Sequence, residues 1–546
     1  MTDPDPMPDP ATDPTPGPDP IAPAPAPASP PQRLPRKGDV LVLCPDALDD
    51  DGAAVTQLVV PIGPELHRLK VVTPGAFPGD TVEVRVSGRF RGTLDARVTA
   101  LLAPSPDRIR PVCHHADATH HRPCGGCPLQ ALAYPAQLVH KVARIRRHLE
   151  NHGLHLDVLP PIPAVLTFHH RHKMELSFAN EFAGSPAGAL EGPTGPSRKR
   201  LVLGLHPSGY RWEALDLTEC PVLSAPTSAF IPVAAAIARD LGLAAHDVRT
   251  NSGWLETLTF RDAKRTSDRL IELTTNNAEC VETAAGPLPA AVVARTLGER
   301  LLAAHPSPAD AGFVWTRRDA ARGRPTTLVT ALTLGRATLR ELLHLPGGKS
   351  LEFLVHPRAF FQPHPLQAER LVAEVIQRVM PPAPGAPGTA PRRPIRVADL
   401  YAGTGLLGLA VAPFVDAVVG VELVPEAVAA ARATAHANDL THTNYLAGDV
   451  GTVLADPAHA ALFADLHAVI LDPPRAGLAQ GAFDAVHRLA PRKVVYVSCH
   501  PASLAHDLAA FAKVGYRPSG SLQPVDMFPH TPHIECVVAL DRMEAP

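Results

Sequence analysis

Arg396–Ala412 reads RVADLYAGTGLLGLAVA: a short apolar run, a glycine turn, and then an apolar helical pattern. A strand that breaks at a glycine turn and resumes as a helix is the opening half of a strand–helix–strand unit. The same alternation continues in AVVGVELVPEAVAAARATAHAND (417–439), NYLAGDV (444–450), AVILDPPRAGL (468–478) and KVVYVSCHPASLAHDL (493–508). This predicts an α/β fold with a doubly wound, largely parallel sheet over residues 351–546. Gly403, Gly405 and Gly408 spell GxGxxG, and Glu422 ends the next strand, where it suits a ribose diol. A dinucleotide site fits these residues alone.

Two further features of the region carry chemistry. Val494–Val497 reads as a buried strand that displays Cys499 at its C-terminal mouth. PVDMFPHTPHIECVVAL (524–540) reads as a turn-rich loop delivering Glu535 to the edge of a sheet. A thiol and a carboxylate at strand tips suit a nucleophile and a general base, although an apolar-flanked Cys is more often an inert core residue.

Working toward the N-terminus, VMPPAPGAPGTAPRRPIR (379–396) looks like an insert or linker. Residues 105–350 read as a central α/β region, with a strand in FHHRHKMELSF (168–178) and a β-hairpin in LETLTFRDAKRTSDRLIELTTN (255–276). PSRKRL (196–201) is a basic cluster within it. Cys124-Gly-Gly-Cys127, with Cys113 before it and Cys220 after it, has metal-ligand character. Four thiolates suit a [4Fe–4S] cluster or structural zinc, and His114, His115, His120 and His121 keep a mixed Cys/His zinc site open. A helix from about Tyr134 to Leu149 presents Lys141, Arg144, Arg146 and Arg147 as a basic face suited to phosphate. Residues 37–104 hold short β-rich runs with Gly/Pro punctuation, which predict a small β-barrel in which Arg85, Arg89 and Arg91 suit a phosphate-tracking face. Residues 1–36 are a Pro/Asp/Ala tract expected to be a disordered tail.

The bulk properties are restrictive. Net charge is −3, so a nucleic-acid partner requires a local basic patch rather than a global field. No apolar run reaches the roughly 18 residues of a membrane span, and the start MTDPDPMPDP lacks the features of a secretory signal. Eight cysteines in 546 residues are too few for a disulfide scaffold and point to metal binding or catalysis in a reducing cytoplasm. A monomer is expected.

CGGCPLQALAYPAQLVHK (124–141), with Gln130, Tyr134, Gln137 and Lys141 in place, resembles the signature of the RNA uracil-C5 methyltransferase family. Asp472-Pro-Pro-Arg475 followed by the Ser498–Cys499 pair is similar to the same family, and TPGAFPGD ending at Asp80 resembles a TRAM domain, which implies an OB-like RNA-binding β-barrel. Three positions depart from the pattern: Ala131 stands for His, His364 for Asn and His500 for Asn, and the Cys113–Cys124 gap is long. The resemblance implies S-adenosylmethionine, not NAD, as cofactor, with Gln362, Tyr401, Glu422, Asp449 and Asp472 at its site. It implies Cys499 as nucleophile, Glu535 as proton acceptor, and Cys113, Cys124, Cys127 and Cys220 as ligands of a [4Fe–4S] cluster, zinc being the alternative. The RNA expected is 23S rRNA, with the transfer-RNA T-loop next. A noncatalytic RNA-binding or cluster-sensing protein on the same scaffold is the competing class.

Overall fold

In the computed structural model, residues 33–117, 123–181, 200–209, 213–320, 324–381 and 394–543 are described. Residues 1–32 of the expected tail, His120, His121, most of the PSRKRL cluster and most of the insert before Arg396 lie outside them. Among the described residues no helix is long and apolar enough to cross a membrane. The chain divides into two compact units, 1–47 with 54–106, and 48–53 with 107–546.

The smaller unit is a sheet built on β1 (Val40–Leu43), β2 (Ala47–Leu48), β3 (Ala54–Ile62), β4 (Glu65–Thr73), β5 (Thr81–Phe90) and β6 (Thr93–Ala103), in the order β1-β5-β6-β4-β3-β2. Val82, Val84 and Val86 are buried on one face of β5 while Arg85 and Arg89 point outward, as a period of two requires. The buried Asp80 carboxylate accepts from the N–H of Phe77 (2.7 Å) and of Ser105 (2.8 Å), pinning the turn into β5. The expected closed barrel is not seen among the described residues. The end strands β1 and β2 do not pair with each other, so the sheet stays open despite three register shifts between β5 and β6.

The larger unit begins with α1 (Tyr134–Asn151) and a six-stranded sheet of β7 (Lys173–Glu181), β8 (Arg200–Gly204), β9 (Leu255–Asp262) and β10 (Arg269–Asn276), completed by β13 (Ala311–Asp319) and β14 (Thr327–Leu334). Between β10 and β13 lie the small hairpin β11 (Cys280–Thr283)/β12 (Gly286–Pro289) and helix α3 (Ala290–Ala304). α2 (Ala225–Asp240) and α3 cover one face, sharing a core with Leu258, Ile271 and Phe313. β9 and β10 form the expected hairpin. A second hairpin, β15 (Leu339–His344)/β16 (Ser350–Val355), packs with α4 (Pro365–Val379) into the core of the C-terminal sheet, so residues on both sides of 350 share one core.

That sheet contains β17 (Arg396–Leu400), β18 (Ala417–Glu422), β19 (Thr443–Ala447), β20 (Ala468–Leu471), β21 (Lys493–Ser498), β22 (Tyr516–Pro518), β23 (Gln523–Val525) and β24 (Glu535–Arg542). Its order is β19-β18-β17-β20-β21-β24-β22, with β23 on the free end of β24. β17 to β21 are mutually parallel, and β24 is antiparallel to β21. Alternation sends neighbouring residues into different cores. Val397, Ile470, Val495 and Val537 pack with α4 and α5 (Leu406–Val411). Ala398, Val469, Val494, Tyr496 and Val538 pack on the opposite face with residues of α1, α8 (Gln480–Leu489) and α9 (Pro501–Lys513). Helices on both faces make the sheet doubly wound, as predicted.

The Tyr445 ring, buried in β19, locks the glycine-rich corner. A Cβ at Gly405 or Gly408 would stand 2.9 Å from its hydroxyl, and a Cβ on Gly420 would run into the ring itself. Gly420→Ala is therefore expected to overpack this corner by about 1–3 kcal/mol, lowering the melting temperature by several degrees in a thermal unfolding scan.

Candidate active site

The carboxyl ends of the parallel strands converge, as the crevice rule for open α/β sheets requires. β17 delivers Tyr401, β18 ends on Glu422, β19 leads to Asp449, β20 to Asp472 and β21 to Cys499. The glycine turn is held from two sides. Asp399 Oδ2 accepts from Gly408 N–H (2.9 Å), and Glu422 Oε2 accepts from Gly403 N–H (2.9 Å) while its Oε1 accepts from Val424 N–H (2.9 Å). Gly405 has φ +80° at the N-cap of α5, a conformation glycine takes without steric cost. Glu422 thus props the turn, and each oxygen keeps a lone pair for a further donor. Asp449 caps α7 (Val450–Ala455), with Oδ1 accepting from Thr452 N–H (3.0 Å), which leaves Oδ2 for a ligand. Tyr401 has φ +63°, a strained setting for an aromatic residue that its sequence context does not reveal. Gln362 is buried with no partner for Oε1, and its segment is tied to the glycine turn by Thr404 Oγ1 donating to Phe360 O (3.2 Å). A buried amide oxygen without a protein partner is left for water or a ligand to satisfy.

Register brings the nucleophile and base candidates together. Ser498 lies opposite Cys536 in the β21–β24 ladder, so Cys499, the residue after β21, leaves the sheet beside Glu535, the first residue of β24, near enough for the Glu535 charge to act on the thiol. Glu535 does not sit at the sheet edge as the sequence reading expects. It heads an interior strand, with Val525 of β23 paired on its other side.

Burial dominates the electrostatics here. It pushes Asp472 up to about 7 and pushes Asp399 up to about 7 against the Gly408 hydrogen bond. Burial, and then the Asp472 charge, hold Glu535 well above the carboxylate range, and its Oε2 has no partner. The Cys499 thiol is pushed up to about 12 by burial, then by Glu535 and Asp472, with Arg475 opposing them. The resting centre is proton-rich: a neutral thiol beside carboxylates that hold protons near neutrality.

The four cysteines also converge. Cys113, Cys124, Cys127 and Cys220 line one cavity of about 170 Å³, together with Gln130 and Arg171. Among the described residues no His/Cys/Asp/Glu group is drawn close enough to hold a metal ion, so the thiols share a cavity without forming a closed ligand set. His114 Nδ1 contacts Glu219 (3.0 Å), which lines the same cavity, and His115 Nε2 contacts Thr218 (3.3 Å). The expected basic face of α1 is corrected: Lys141 and Arg144 are buried, Arg147 is bound to Asp50 (3.0 Å), and of the four only Arg146 is exposed.

The family model for tRNA (uracil-5-)-methyltransferase matches residues 458–543, which contain Asp472, Cys499 and Glu535. An uncharacterized RNA methyltransferase of Protochlamydia amoebophila is 31% identical over 86% of this chain and 99% of its own. The chain belongs to the RNA uracil-C5 methyltransferase family. A second relative, an uncharacterized RNA methyltransferase of Chlorobaculum tepidum, is 30% identical over 93% of this chain and 98% of its own. The Pyrococcus abyssi tRNA (uracil-54, C5)-methyltransferase, solved with S-adenosyl-L-homocysteine, shares the fold with a TM-score of 0.64 at 22% identity, over 92% of this chain and all of that one.

In this methyltransferase the raised Cys499 pKa has a readable sign. Alkylation at Cys499, followed by peptide mass spectrometry, should be slow at neutral pH and rise about tenfold per pH unit below the thiol's pKa. Asp472→Asn removes a like charge and should speed alkylation at pH 8, while Arg475→Ala should slow it.

Proposed function

We propose that this enzyme transfers a methyl group from S-adenosylmethionine to C5 of a uridine in RNA through a covalent adduct. The placement of Cys499 beside Glu535 at the mouth of the sheet carries the reading. Uracil C5 is a weak nucleophile. Cys499 loses its proton and the thiolate adds to C6; the C5–C6 π pair moves into an enolate, which leaves C5 nucleophilic. S-adenosylmethionine, when bound, supplies the electrophilic methyl. Glu422 and Asp449 retain free lone pairs for its ribose and adenine, Tyr401 and Asp472 flank it, and Gln362 presents an unpaired amide oxygen. Glu535 takes the C5 proton after methylation, and Cys499 is expelled. A base reaches these side chains only when flipped out of its stack. Burial favours the protonated form of Glu535, and the base must be ionised to take the C5 proton, so turnover is expected to rise with pH as Glu535 ionises.

Four thiols in one cavity, Cys113, Cys124, Cys127 and Cys220, are the donor type that would hold a [4Fe–4S] cluster, with zinc as the alternative, once drawn together around it, and no step of the reaction draws on it. Metal analysis and the visible spectrum of anaerobically purified protein separate iron from zinc. The smaller unit, with exposed Arg85 and Arg89 and Arg91 stacked 5.1 Å over the exposed Phe90 ring, suits an RNA strand. Its resemblance to a TRAM domain beside a cysteine site supports 23S rRNA as substrate in the cytoplasm. The names of the matching family model and of the structural neighbour favour the transfer-RNA T-loop as the second reading.

Methyl transfer from labelled S-adenosylmethionine to an unmodified transfer RNA and a set of 23S rRNA fragments is the deciding assay. The expected outcome is 5-methyluridine in rRNA; label only in transfer RNA transfers the assignment to the T-loop, and no label in either overturns the catalytic reading. Cys499→Ala should abolish turnover while leaving S-adenosylmethionine binding intact by calorimetry.

A further inference from the structure

Gln130, Tyr134, Gln137 and Lys141 of the cysteine-linked motif have no role in the chemistry above. The last three lie at i, i+3 and i+7 on α1 and so share one face. All three reach the loop between β23 and β24, whose end is Glu535. Lys141 Nζ donates to Asp526 Oδ1 (2.6 Å) and to Phe528 O (3.0 Å). Tyr134 Oη donates to Asp526 Oδ2 (2.7 Å) and accepts from Ala164 N–H (2.7 Å). Gln137 Oε1 accepts from His530 N–H (2.9 Å). Lys141 and Asp526 are sealed from water, at 1% and 0% side-chain exposure. Asp526 directly follows Val525, the residue paired with Glu535 across β23–β24.

A sealed ion pair of this kind gains little net stability over a well-packed apolar pair. Its geometry is what an apolar pair does not reproduce: two directed hydrogen bonds from α1 converge on one carboxylate, one residue from the partner of the base. We propose that Tyr134, Lys141 and Asp526 are positioning residues for Glu535, and that they govern the elimination step rather than the attack of Cys499. In that step the Glu535 carboxylate takes the C5 proton, the C–H electron pair becomes the C5–C6 double bond, the C6–S bond breaks, and Cys499 leaves as thiolate. This rests on the covalent mechanism proposed above.

The test is a single-turnover assay with labelled S-adenosylmethionine and RNA, scoring methylated RNA that stays attached to protein under denaturing conditions. Glu535→Gln is the control and should accumulate the adduct. Tyr134→Phe, and the doubly apolar Lys141→Met/Asp526→Leu that leaves no unpaired charge, should also accumulate it. Release should slow on the order of tenfold or more, a part of the 10²–10⁴ a general base supplies, while adduct formation, S-adenosylmethionine binding and melting temperature change little. Adduct in Glu535→Gln but not in the strut variants overturns the positioning role, as does equal slowing of formation and release. No adduct in Glu535→Gln overturns the covalent mechanism itself, and the positioning role with it.

Discussion

The antiparallel ladder between β21 and β24 is the constraint on which the active centre depends. Parallel strands alone present their carboxyl ends in one row, each tip carrying one side chain toward the crevice. β24 enters from the opposite direction, so its first residue, not its last, lies beside the tip of β21. That reversal sets Glu535 against Cys499. A shift of one residue in the register would turn Glu535 to the other face of the sheet and replace it with Cys536, which is packed in the core.

Much of this arrangement was legible in the sequence because it is local. The glycine turn after β17, the strand before Cys499 and the hairpin at 255–276 are encoded within a few residues by period and punctuation. The doubly wound sheet follows from repeating that local unit. What stayed hidden depends on distant partners. Lys141 finds Asp526 across 385 positions, so a helix face that reads as a basic surface is a buried strut. Glu535 reads as an edge residue because its loop is turn-rich, and only the sheet order puts β22 and β23 beyond it. Barrel closure likewise depends on pairing between the first and last strands in space, which no local pattern specifies. The four cysteines were legible as a set, and the structure adds the cavity they share.

The electrostatics follow from the packing. The sheet is covered on both faces, so its crevice is poorly solvated, and that desolvation raises Cys499, Asp472 and Glu535 together. A thiol that stays neutral until an electrophilic ring is at hand is protected from adventitious oxidants, which attack thiolates.

The interior position of β24 also bears on how the chain is made. It follows every other strand of its sheet in sequence, yet it fills the place between β21 and β22. During synthesis β21 therefore presents a bare, strongly apolar flank until the segment ending at Arg542 leaves the ribosome, the kind of open edge that invites pairing with other chains. Substitutions that slow β24 insertion would lengthen that exposure and reduce the yield of soluble protein.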